Sequence, residues 1–164
     1  MPKAAEIRHH LGLLPHPEGG HYREVFRSAA AVAHPETGQP RSAVTSIYFL
    51  LEMGEFSAFH RVRSDEIWNF HAGGALELHL LSPEGSHLVH RLGTNVEAGE
   101  RPQVVVPANW WQAARPVATV EWCLCGCQVA PGFDFADFAM PGREELLALF
   151  PQHRHLVREL TREH

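Results

Sequence analysis

Beyond Ala43 the chain cannot run far in any one conformation. Gly54, Gly73-Gly74, Pro83-Glu84-Gly85, Gly93, Gly99, Pro107 and Pro131-Gly132 interrupt it at short intervals. Proline cannot donate to a central β-ladder, and glycine opens turns closed to other residues, so the runs between these positions are short strands. Their composition agrees. Ala43 to Leu51 (AVTSIYFLL) is β-branched and aromatic, and Ala75 to Leu81 alternates Leu76, Leu78 and Leu80 with Glu77 and His79. His87 to Leu92, Gln103 to Pro107 and the long, proline-free Val117 to Val129 read as further strands, and His21 to Ser28 as an earlier one. Ala33 to Arg41 is expected as an exposed loop, and Phe133 to Phe138 as an edge strand or closing arm. Helical spacing is confined to the ends: Ile7 and Leu11 before Gly12, then Leu146, Leu147 and Phe150, and after Pro151 Leu156, Val157 and Leu160. Short strands with helices only at both termini predict an all-β sandwich or barrel.

A chain of 164 residues, 45% of them hydrophobic, can bury one sizeable core, which predicts a single domain over residues 1 to 164. The net charge of -5 excludes a sequence-independent binder of nucleic-acid polymer, which needs a basic face to displace counterions. Thirteen histidines make the charge sensitive to pH near neutrality. No apolar run approaches the ~20 residues that span a bilayer, and the N-terminus lacks a signal peptide's pattern, so a soluble cytoplasmic protein without a membrane partner is expected. Cys123, Cys125 and Cys127 alternate on one strand face, which suits small apolar packing in a reducing compartment better than mutual disulfides.

Gly54 to Gly73 carries the most chemistry. It holds a short strand with His60, a turn at Arg63-Ser64-Asp65, and a second strand with Glu66, Trp68 and Phe70. Paired as a hairpin, the two strands would bring an imidazole and a carboxylate onto one face, a pair suited to holding a metal or moving a proton.

This segment resembles the first signature of the cupin superfamily. Gly54, His60, Glu66 and Gly73 fall on its frame, with Val62 at the position of the second histidine. Pro107 to Gln112 is similar to the second signature, with Asn109 at its glycine and Gln112 at its histidine. The segments LGLLPHPEGGHYREVFRS, TSIYFLL, HRVRSDEIWNFHAG, PQVVVPANWWQA and VAPGFDFADF look like a cupin family catalogued as a domain of unknown function. The resemblance implies a double-stranded β-helix, a jelly-roll barrel, distantly similar to nucleotide-sugar epimerases and forming a homodimer. It also implies a barrel pocket for a small polar molecule of sugar, nucleotide or carboxylate character.

Three readings of that pocket follow. In the first, His60, Glu66 and Gln112 hold a divalent metal, weakly, because an amide replaces one imidazole and Val62 cannot ligate. In the second, a metal-free epimerase or isomerase uses His60 as base, oriented by Glu66, Asp134 or Asp137, with Tyr48 returning a proton. The third is a non-catalytic binding module in which Trp68, Phe70, Trp110 and Trp111 form an aromatic wall and Gln103 and Gln112 read polar edges. His71 and His79 are reserve ligands should a tightly held metal be found.

Overall fold

The computed structural model describes residues 1–163. Helix α1 (Ala4–Leu11) ends where Gly12 takes the left-handed conformation, with φ 64°. The strands β1 (Leu14–Pro15), β2 (His21–Arg27), β3 (Ala31–Ala33), β4 (Pro40–Ser42), β5 (Thr45–Glu52), β6 (Ser57–Val62), β7 (Asp65–Gly73), β8 (Leu76–Leu81), β9 (His87–Leu92), β10 (Gln103–Val106), β11 (Trp111–Pro116), β12 (Trp122–Ala130) and β13 (Phe138–Ala139) follow, and α2 (Arg143–Leu149) and α3 (Arg154–Glu159) close the chain. A six-stranded sheet in the order β1-β2-β5-β12-β7-β10 faces a five-stranded sheet in the order β13-β6-β11-β8-β9, and all their pairings are antiparallel.

Side-chain alternation sorts each strand into an inner and an outer face. Phe49, Leu51, Trp68, Leu76, Leu78, Leu80, Val104, Val106, Ala114 and the three cysteines fill the space between the sheets. On the outside, α1 lays Ile7 over Leu50 and Trp122, and α2 and α3 pack Leu146, Val157 and Leu160 against Phe59, Leu81 and Trp111. The cysteines are free and buried within one strand face.

Three expectations need correction. β6 and β7 do not pair as a hairpin. β6 joins β11 and β13, while β7 crosses to the opposite sheet between β12 and β10. A two-sided core favours this crossing, because both strands can then turn their apolar faces inward. The long last strand begins only at Trp122, since Val117 to Glu121 turns, with Val120 N–H donating to Val117 C=O at 2.8 Å. Before that turn lies β11, whose Gln-Ala-Ala run carries no β-branched signal and is held as a strand by pairing on both edges, to β6 and β8. The loop expected over Ala33 to Arg41 is confined to residues 34–39, because Ala33 and Pro40 to Arg41 pair as the ends of a small β3–β4 hairpin.

Candidate functional site

A cavity of about 350 Å³ opens where β2 and β12 end and β5 and β7 begin. Its floor is built from His16, Glu18, His60, Glu66 and Cys127, its walls from Tyr22, Ile47, Val62 and Val129, and its mouth from Glu24, Arg27, Phe133, Asp134 and Phe135. A bulge in β2 between Glu24 and Phe26 turns both Glu24 and Arg27 to the cavity side, where they pair at 2.7 Å. Phe133, Phe135 and Phe138 stack edge to face, with centroids 5.0 to 5.9 Å apart, as the chain returns to pair with β6.

Glu18 comes from the turn after Pro15. Its backbone carbonyl accepts from Ala58 N–H at 2.8 Å and from Arg162 Nη2 at 3.1 Å, so the turn lies tightly along β6. Gly19 makes this approach possible. It sits at φ 116°, and a Cβ there would stand 2.0 Å from the Phe56 carbonyl oxygen. The Glu18 side chain then reaches inward, where Oε1 accepts from Ser57 Oγ at 3.0 Å and Oε2 lies 3.1 Å from His60 Nε2.

The tautomer of His60 follows from its other nitrogen. Nδ1 lies 2.8 Å from the Ala58 carbonyl, an acceptor only, so Nδ1 carries the hydrogen and Nε2 offers a lone pair. A lone pair facing a carboxylate oxygen at hydrogen-bond distance requires a shared proton. Burial lowers the His60 pKa to about 4 and raises that of Glu18, so the proton sits in a neutral pair and not in an ion pair. His16 is held down by burial as well; its Nδ1 accepts from Glu18 N–H at 3.1 Å, and its ring meets Tyr22 edge-on at 4.5 Å.

Glu66 faces this pair from the opposite sheet. Burial, then the nearby Glu18 carboxyl, raises its pKa to about 8, against hydrogen bonds from Gln112 and Cys127 that favour the charged form. It is a carboxylic acid at neutral pH. Burial likewise pushes the Cys127 thiol up to about 12. The floor of the cavity is therefore uncharged, yet every group on it can donate, accept or share a proton.

The fold brings His60 and Glu66 to one cavity and disperses most other candidates. Gln112 and Trp68 stay beside Glu66 inside the barrel: both hydrogen-bond its carboxyl, and the Gln112 Oε1 accepts from Trp68 Nε1 at 2.9 Å. Phe70 and Trp110 pack against the central core. Trp111 faces the terminal helices beneath Arg61, and Gln103 lies on the outer face, donating to Asn69 Oδ1 at 2.9 Å. Tyr48 alternates with the cavity residue Ile47 and so points outward, edge-on to His71 at 6.1 Å. Asp134 lines the mouth, while Asp137 is committed to Arg41 through two hydrogen bonds of 2.8 and 3.0 Å. His79 lies on the outer face of the smaller sheet, bonded to Glu77 and His87. The partner of His60 is thus Glu18, which sequence reasoning missed. Within Pro15 to Gly20, the consecutive glycines after a glutamate were the available signal of a close backbone approach.

The cupin metal set does not fit this arrangement. His60 Nε2 is engaged by Glu18, the Gln112 oxygen by Trp68, and Val62 supplies no donor. Among the described residues, the three His, Cys, Asp or Glu side chains with ligand atoms within 4.8 Å of one another are His21, Glu52 and Glu55, outside the cavity.

Comparison with known proteins agrees with this architecture. The family model described as Cupin superfamily (DUF985) matches residues 5–141. An uncharacterized protein of Saccharomyces cerevisiae is 30% identical over 159 residues, spanning 88% of this chain and 75% of that protein. The structure of a hypothetical protein from Leishmania major superposes with a TM-score of 0.94 at 35% identity, covering 99% of this chain and all of that one. A protein from Shewanella oneidensis superposes with a TM-score of 0.91 at 41% identity over the full length of both. Oxalate decarboxylase from Bacillus subtilis, at 14% identity and a TM-score of 0.56 over 92% of this chain and 37% of that chain, shares the fold alone. With a family model covering most of its length and a jelly roll of two antiparallel sheets, this chain belongs to the cupin superfamily, in the family designated DUF985.

Proposed function

We propose that the cavity binds a small, uncharged polar molecule and moves a proton on it, as an isomerase or epimerase does. The buried contact between Glu18 Oε2 and His60 Nε2, 3.1 Å long, carries this reading. A shared proton in a buried site is a preorganised acid–base unit, and Glu66 opposite is a second proton donor. A molecule with a hydrogen next to a carbonyl would give that proton to a Glu18 oxygen as the Glu18 proton passes fully to His60 Nε2 and Glu66 donates to the carbonyl oxygen. The positive charge gained by the pair matches the negative charge left on Glu66, and reversing both transfers returns a neutral site. Tyr22, Phe133 and Phe135 offer faces for an apolar or ring-shaped side of the ligand, and Arg27 and Asp134 offer polar contacts at the mouth. The three buried thiols favour a reducing compartment, the cytoplasm.

The test is solvent exchange. Incubated in heavy water with a panel of ketoses and lactones, the protein is expected to incorporate deuterium into at least one compound, read by mass spectrometry. Glu18→Gln and His60→Gln should lower that rate by about a hundredfold or more. A molecule that copurifies in the cavity without exchanging would support the second reading, a binding module, which the apolar wall of Ile47, Val62 and Val129 favours. Exchange that survives both substitutions would overturn the catalytic reading.

A further inference from the structure

We infer that His21, Glu52 and Glu55 form a binding site for a divalent first-row cation of the zinc class, on the outer face of the barrel. One ligand atom from each lies within 4.8 Å of the other two. Around a zinc-sized ion, with bonds of about 2.1 Å, tetrahedral ligand atoms stand roughly 3.4 Å apart, so sub-ångström side-chain shifts bring this set onto a metal. One imidazole with two carboxylates suits a borderline cation better than magnesium, which retains its water shell.

A separate observation points to the same place. The Nδ1 atom of His21 is buried and has no hydrogen-bond partner among the described residues. An orphaned polar atom carries a desolvation cost, which coordination through Nδ1 would offset. The carboxylates are also oriented from outside. Arg8 holds Oε2 of Glu52, and the Glu52 backbone N–H donates to Oε2 of Glu55 at 2.9 Å, leaving Oε1 of each for a cation. Arg8 offsets one of the two negative charges and one remains to attract the ion.

The position gives the site a role. His21 directly follows Gly20, at the end of the turn that carries Glu18, and Glu52 and Glu55 flank the turn leading into β6 and His60. A bound cation would clamp the two segments whose backbones place the buried pair. The site stands apart from the barrel centre where cupins hold metals, and it does not depend on the cavity being catalytic.

Calorimetric titration of the chelator-stripped full chain with zinc tests this. One equivalent should bind and raise the melting temperature. His21→Ala and Glu55→Gln should each weaken that binding by at least about tenfold, while His60→Ala and His87→Ala, controls for the cavity and for the His79–His87 pair, leave it unchanged. Melting of each metal-free variant checks that it folds. Absence of heat at millimolar zinc, binding that survives both site substitutions, or binding lost in His60→Ala would overturn the inference.

Discussion

Glu66 shows how far the barrel shifts a single group. An unfolded chain releases its proton near 4.5 and the native protein keeps it to about 8. Between those values the native state binds more protons, so the contribution of Glu66 to stability falls as pH rises. Glu66→Gln removes this titration. Its melting temperature relative to the parent should climb between about pH 5 and pH 8 and stay level below about 4.5. A difference independent of pH would contradict the buried acid. Glu66 and His60 were legible as a pair because their spacing matched a known signature. Glu18 was not, since its role depends on a turn folding back along β6, a contact between distant parts of the chain that leaves no local periodicity. The facing of Tyr48 failed for a related reason: alternation gives two faces to a strand, and only the partner sheet decides which is inner.

At the scale of elements, the Pro15 to Gly20 turn matters most. Gly19 is fixed there by both conformation and space, with φ 116° and the Phe56 carbonyl in the way of any Cβ. Gly19→Ala should destabilise the protein by about 2 to 3 kcal/mol and displace Glu18, so activity in the exchange assay should fall further than stability does. A variant with parental melting and exchange would contradict this role. The strands with β-branched, alternating composition, β5, β8 and β9, were read to within about two residues of their bounds. β11 was invisible because its small alanines are selected by close packing between β6 and β8, not by propensity.

For the whole molecule, the pattern of turns and terminal helices was enough for an all-β barrel, and the resemblance supplied the jelly roll. What neither provided was the crossing of β6 and β7 between sheets, which sets His60 and Glu66 facing each other across a cavity. One surface also stands open. β1 covers only the first two residues of β2, and beyond them Val25 and Phe26 are 51% and 54% exposed along a sheet edge. Edges of this kind are normally covered, so we propose that a second copy of the chain pairs there. Light scattering should give a dimer at micromolar concentration, and Phe26→Lys should shift it to monomer; a monomeric parent would sink the proposal.

The central claim is that His60 is a neutral imidazole with its hydrogen on Nδ1 and its Nε2 sharing a proton with Glu18. Nitrogen-15 NMR of the labelled histidine side chains, with His60 assigned from His60→Gln, reads this state directly. The account predicts one protonated nitrogen, Nδ1, and a hydrogen-bonded, unprotonated Nε2 at neutral pH that persist down to about pH 5, with imidazolium appearing only near 4. An imidazolium at neutral pH, or a hydrogen resident on Nε2, would contradict it.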